Sequence, residues 1–348
     1  MIKLKPLQKQ VIVVTGATSG NGLATAREAV RRGAAVVLAA RNEDALQRLK
    51  TELEAQGARA AICVADVAVE ADVQRIADTA VNAFGGFDSW INNAAAASYG
   101  TLEQVPLADH RHIFDVNYFG VLTGSLVATR HLRTRGGGAI INIGSILSER
   151  AILEQGPYCA TKHAVQALTD TLRMELEREG AGISVTLIKP AAIDTLFPEH
   201  ARNFMDEPPR LPPPLYQPSV VADAVLFACA TPKREMYVGG GGWLATKLAR
   251  VAPRLTDLAM EAAGGLAQRK PGDPGDPARR DNLYEPRADG AERGSQKVVA
   301  RGSSLLVELQ KLPSAVVPIA ITGLGAVALS VFNARRSRGS RRATRTYL

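Results

Sequence analysis

The chain is poor in cysteine, with only Cys63, Cys159 and Cys229 in 348 residues. Scattered and odd in number, they exclude a disulfide framework and offer no metal-ligand spacing, in agreement with a reducing cytoplasm. His110 and His112 stand two apart without nearby ligand types and read as ordinary helix-start residues, so no metal is expected. No internal repeat is present. No apolar leader precedes the first strand-like run, since Met1 to Gln10 leads straight into Val11. The basic excess is not spread over a surface either. Arg335, Arg336, Arg338, Arg341, Arg342 and Arg345 supply six of the net charge of +8, which argues against a nucleic-acid partner.

What is present is a regular alternation. Strand-like runs at Val11–Val14, Ala35–Ala39, Ala60–Val64, Ser89–Asn92, Ala139–Ile143, Ile183–Ile188 and Met236–Val238 are separated by helix-like stretches. Such alternation calls for an α/β fold, a doubly wound parallel sheet with helices on both faces. Right-handed crossovers then bring the loops after the strands to one edge, where a dinucleotide binds. The first of these loops is rich in glycine. Gly16, Gly20 and Gly22 stand between a β-branched run and a helix start, where backbone can approach a pyrophosphate at a helix N-terminus.

Downstream, Tyr158 and Lys162 stand four apart and share a helix face, with Ser145 thirteen residues earlier. An ammonium beside a phenol favours its ionised form, and so brings a group of pKa ~10 nearer to proton exchange at neutral pH. These motifs together resemble the classical short-chain dehydrogenase/reductase family, over roughly Lys9 to Gly242. The glycine spacing is Gly-x3-Gly-x-Gly. Asp66, Asn92-Asn93-Ala94-Ala95, Asn117, Ser145, Tyr158, Lys162 and Pro190 to Thr195 follow in the family's order. Ala95 and Ala191 stand where glycine is usual, departures that bear on loop geometry rather than on the chemistry.

The resemblance implies a Rossmann-type catalytic domain over residues 1–242 and an enzyme that moves a hydride between nicotinamide and a carbonyl or secondary alcohol. Tyr158 would be its general acid/base, Ser145 would hold the substrate oxygen, and Lys162 would also bind the nicotinamide ribose. Asn117 would hold a water that refills the proton on Lys162. Gly16, Thr18, Ser19, Gly20, Gly22, Arg41, Asp66, Val67, Asn93, Ala94, Pro190, Ile193 and Thr195 would contact the cofactor together with Tyr158 and Lys162. Asp66 is also a candidate cap for a helix from Val67 to Ala80. At the end of the second strand the acid of an NAD site is replaced by Ala40, and Arg41 follows. That pair points to NADP(H) rather than NAD(H), with Arg41 on the 2'-phosphate, although Asn21 stands where some members carry a further basic residue. A noncatalytic, membrane-tethered NADP-binding scaffold or sensor is the alternative function.

The segment Leu196–Pro218 holds seven prolines and is expected to be a loop over the substrate. Its Phe197, Phe204, Met205, Leu211, Leu215 and Tyr216 either line a lipophilic site or pin the loop to the domain. Beyond Gly242, residues 243–311 are expected to be an extension, helical over Trp243–Gln268 and then a charged stretch over Lys270–Gly294 that is either a mobile linker or an irregular excursion. Residues 312–348 comprise an uncharged segment, Leu312–Ala334, and the basic tail. As a helix that segment would span ~34 Å against a hydrocarbon core of ~30 Å. A full span would put the basic tail and the first domain on conflicting sides, so a re-entrant or surface-lying helix near anionic lipid is expected, or a helix buried against a partner subunit. The protein is expected to be a cytoplasmic homo-oligomer associated with the membrane through this segment.

Overall fold

Each apolar run forms a strand in the computed structural model, which describes residues 2–275, 280–287 and 290–312. The central strands are β1 (Val11–Thr15), β2 (Ala35–Ala40), β3 (Ala60–Val64), β4 (Ser89–Asn92), β5 (Gly138–Ile143), β6 (Ile183–Pro190) and β7 (Glu235–Val238). They make one sheet in the order β7-β6-β5-β4-β1-β2-β3, with every pairing parallel. The order reverses between β1 and β4, so the loops after these two strands diverge and leave a crevice.

Strand residues alternate between two helix layers. Val11, Val13, Val37, Trp90, Ile140 and Val185 enter one core with Ile76 and Ala80 of α3 (Glu70–Phe84), Ala128 and Leu132 of α5 (Gly120–Thr134), and Leu172 and Leu176 of α6 (Gly156–Glu179). The intervening residues Ile12, Val14, Val36 and Leu38 are equally buried. α1 (Gly20–Arg31) packs with α8 (Pro218–Ala230). α2 (Glu43–Ala55) lies against β2 and β3, and its first turn is capped by Asn42, which accepts from the Ala45 amide at 2.8 Å.

One compact body runs from Met1 to Ser304, so the extension past Gly242 packs with the sheet. The helical stretch expected there is two helices, α9 (Gly240–Val251) and α10 (Pro253–Ala267), broken where Pro253 starts the second. After them the structure takes the second of the two expected forms, an irregular excursion. Described residues of 270–294 are docked along the chain rather than forming a mobile linker, with Leu283 fully buried among Ala96, Ile113 and Val116. Leu305 begins a second unit, whose described part is the short helix Leu305–Lys311. Apart from Leu312, the uncharged segment and the basic tail lie outside the described residues. Among the described residues no helix is long and apolar enough to cross a membrane.

Candidate active site

The crevice is built from close backbone contact. At the end of β1, Gly16 has φ +65°, and a Cβ there would lie 2.9 Å from the Ala94 Cα. A Cβ on Gly22 would lie 2.1 Å from the Gly16 carbonyl oxygen. Only glycine fits both places, and the helix N-terminus that follows is thereby drawn against the loop. Thr15 stitches the two strand ends, its Oγ1 accepting from the Asn93 and Ala94 amides at 3.0 and 3.1 Å. The Asn93 amide returns to the Thr15 and Gly16 carbonyls at 2.8 and 3.2 Å. Asn92 lies beneath and holds the Trp90 indole, Ser125 and Asn142 in one buried network. Thr18, Ser19, Gly20, Arg41, Asp66, Val67, Asn93 and Ala94 all face the same cleft as Ser145, Tyr158, Lys162, Pro190, Ile193 and Thr195. A backbone cradle with no side chain in the way, beside a helix N-terminus, fits a dinucleotide phosphate.

Two residues at this end behave differently from expectation. The Asp66 carboxylate accepts from the Ala68 amide at 2.9 Å, but the helix itself starts at Glu70 behind Val69, so Asp66 organises the turn and is not the terminal cap. Arg41 is committed. It donates to the main-chain carbonyls of Asn282, Leu283 and Tyr284 at 2.5, 3.3 and 2.8 Å. Carbonyls are neutral, and among the described residues no carboxylate pairs with this guanidinium, so its positive charge remains at this end of the cleft.

At the other end Tyr158 stands in the first turn of α6 and Lys162 one turn later, its Nζ 5.4 Å from the Tyr158 ring centroid. Nζ donates to the Ile143 carbonyl at 2.8 Å. Burial of Lys162 lowers its pKa to about 8. The expected depression of the phenol is not found. Burial pushes Tyr158 above its usual range, the neighbouring Cys159 adds to the rise, and a hydrogen bond with Ser145 only partly opposes it. Desolvation therefore dominates, and the phenol of this fold is held in its protonated form. Ser145 also caps a short turn, with Oγ accepting from the Leu147 amide at 3.1 Å.

Asn117 sits in a π-helical turn, Asp115–Phe119, and is fully buried. Its side chain exchanges hydrogen bonds with the amide and carbonyl of Ala96 at 2.8 and 2.9 Å and donates to Thr161 Oγ1 at 3.0 Å. The side chain is thus occupied by protein, and it lies behind the cleft wall rather than on it, as does Gly22. Its contacts tie the π-turn to α6, since Thr161 in turn donates to the Tyr158 carbonyl.

The cleft holds about 300 Å³. Beside Tyr158 it is walled by Leu147, Ile152, Phe197, Ala201, Leu211 and Pro212. The Phe197 ring meets the Tyr158 ring edge-on at 5.1 Å between centroids. Met205 joins the cluster around Tyr158, whereas Leu215 and Tyr216 pair as a short strand with Ala300–Arg301 of the extension. Leu211 exchanges hydrogen bonds with Gln296. Phe197 and Leu211 thus line the cleft, while Leu211, Leu215 and Tyr216 tie the proline-rich segment to the extension. The turn before α6 is braced too, with Gln155 bonded to Gln268 at 2.6 Å and Glu154 paired with Arg269.

Asn282, Leu283, Pro286, Arg287 and Gly290 also line the cleft, and sequence reasoning missed them. The available signal was the apolar pair Leu283-Tyr284 inside a charged stretch. His112, read as an ordinary helix-start residue, is its dock: the imidazole stacks on Tyr284 at 4.5 Å and hydrogen-bonds to the Leu283 carbonyl at 2.9 Å.

Comparison with known proteins agrees with this geometry. The family described as short chain dehydrogenase matches residues 10–205. An uncharacterized oxidoreductase of Bacillus subtilis, YxnA, is 43% identical over 314 residues, covering 90% of this chain and 88% of the relative. A match of that length reaches beyond Gly242, so this relative shares at least part of the extension. Among solved structures, a short chain dehydrogenase/reductase from Burkholderia phymatum in complex with NAD is 28% identical with a TM-score of 0.65, covering 78% of this chain and all of that one. An alcohol dehydrogenase from Thermococcus sibiricus complexed with 5-hydroxy-NADP is 27% identical with a TM-score of 0.58, covering 66% of this chain and 95% of that one.

Proposed function

The chain belongs to the short-chain dehydrogenase family and is an oxidoreductase; from that premise we propose that it uses NADP(H) to interconvert a lipophilic carbonyl compound and its secondary alcohol, with Tyr158 as the acid/base. The observation that carries this reading is one cleft in which the Gly16 cradle and the Ser145, Tyr158 and Lys162 cluster meet. Bound nicotinamide would supply or accept the hydride. Gly16, Ser19, Gly20, Asn93 and Ala94 would hold its diphosphate and ribose, with Asp66 and Val67 towards the adenine. Pro190, Ile193 and Thr195 would border the nicotinamide.

Tyr158, protonated at neutral pH, would donate its proton to the carbonyl oxygen, and the burial that makes its phenol a weaker acid would have to be offset when cofactor and substrate are bound. Ser145 would donate a hydrogen bond to the same oxygen and steady the charge that builds there. Lys162 would bind the ribose hydroxyls and relay a proton to Tyr158, a task suited to a pKa near neutrality. With the Asn117 side chain occupied, its relay role would fall to its main-chain carbonyl. The preference for NADP(H) rests on Ala40 in place of an acid and on the unneutralised charge of Arg41. A lipophilic substrate is supported by the apolar lining that Leu147, Phe197 and Leu211 give the cleft.

Replacing Tyr158 with phenylalanine tests the mechanism. Turnover with NADPH and a ketone panel is expected to fall at least ~100-fold while NADPH binding persists. An active Tyr158→Phe enzyme would refute it. Tight NADPH binding by the unaltered chain without turnover on any carbonyl would instead favour a noncatalytic scaffold.

A further inference from the structure

Residues 280–287 and 290–295 cross the cleft and touch both of its walls. On the wall of β1 and β2, Arg41 holds three successive carbonyls, Asn42 donates to the Arg287 carbonyl at 3.3 Å, and the Gly20 amide donates to the Ala291 carbonyl at 2.9 Å. Arg27 pairs with Glu292 at 2.7 Å. On the opposite wall, the Asn282 amide donates to the His200 carbonyl at 2.9 Å and Arg287 Nη1 to the Glu199 carbonyl at 2.6 Å. Arg293 pairs there with Asp194 at 2.7 Å. Leu283 anchors the crossing as a buried plug, and the Tyr284 hydroxyl donates to Asp109 at 2.8 Å.

The two groups on the first wall best suited to phosphate are thus both taken by main-chain carbonyls. The Gly20 amide opens helix α1, where a diphosphate gains most from the helix dipole. Arg41 is the cation nearest the end of β2. A charged phosphate oxygen is a stronger acceptor than a neutral carbonyl, so an arriving dinucleotide displaces these two contacts. The Leu283 side chain in its plug, the Tyr284 ring and hydroxyl contacts and the Arg293 link do not compete with phosphate.

We propose that this crossing segment is a clasp belonging to the dinucleotide site: it parts from Gly20 and Arg41 as the phosphates enter, stays anchored through Leu283 and Tyr284, and closes over the adenosine diphosphate moiety. The proposal rests on the dinucleotide reading above. Cofactor then enters and leaves only as fast as the clasp opens.

The test is stopped-flow binding of NADPH to the full chain. Observed association rates are expected to level off with rising NADPH, and Leu283→Ser is expected to raise both that plateau and the dissociation rate by roughly tenfold or more. Rates that stay linear in concentration and are the same in Leu283→Ser would overturn the clasp alone. Failure of both NADPH and NADH to bind would overturn the dinucleotide reading and the clasp with it. Should Leu283→Ser not fold, hydrogen exchange on the unaltered chain decides: slower exchange of the described amides of 281–287 and 291–295 with NADPH supports the clasp, and unchanged exchange refutes it.

Discussion

Lys162 offers the sharpest separation of stability from activity. It is 2% exposed, and among the described residues its ammonium has no carboxylate partner, only the Ile143 carbonyl. Burial moves its pKa from 10.5 to about 8, so keeping it protonated at pH 7 costs the fold ~3 kcal/mol. Lys162→Met removes that cost but strips the Ile143 carbonyl of its donor, a loss of about 1 kcal/mol. The net expectation is a variant ~2 kcal/mol more stable than the parent at pH 7, with turnover lost. The pH dependence has a definite sign. Below pH 8 lysine is charged in both folded and unfolded chains and the penalty is fully present. From pH 8 to 10.5 the unfolded chain binds the proton that the folded chain has released, so the parent gains stability relative to the variant as pH rises. Urea unfolding of both proteins at pH 7 and pH 10 measures the gap through the shift in midpoint. A variant less stable at pH 7, or a gap that does not narrow by pH 10, would refute the account of Lys162 as a buried, unneutralised cation.

Two further outcomes follow from the geometry. Gly22→Ala forces a methyl to 2.1 Å from the Gly16 carbonyl, so the loop must shift; affinity for NADPH and NADH should fall together, read by titration of cofactor fluorescence. Phe197→Ala removes the ring that meets Tyr158 edge-on, and KM for hydrophobic ketones should rise more than KM for small polar ones, with NADPH affinity unchanged in the same titration.

The sheet was legible in the sequence because its strands, most of them buried on both faces, are short and mainly apolar runs separated by helix-like stretches. The seven expected strands form with ends extended by at most two residues. The glycine loop was equally legible, since its spacing states a steric requirement that Gly16 and Gly22 meet in full. Charge balance was less so. The effect of Lys162 on Tyr158 depends on how deeply both are buried, and spacing carries no information about desolvation. Arg41 was legible only in part for a related reason: its position placed it at the cleft, but the carbonyls that hold it lie more than 240 residues further on. The docking of Leu283 against Ile113 and Val116 was illegible because composition described that stretch as polar, and two side chains decide its fate.

The pairing of Leu215–Tyr216 with Ala300–Arg301, together with the Leu211–Gln296 bonds, has a consequence for altering this enzyme. The segment that shapes the reactive end of the cleft is held from outside by chain encoded some eighty residues later. Transplanting that segment alone into a shorter relative would leave its edge strand unpaired, and trimming the extension from this chain would release it. On the proposed reading of the cleft, selectivity would then be a property of two distant stretches, to be exchanged as a unit.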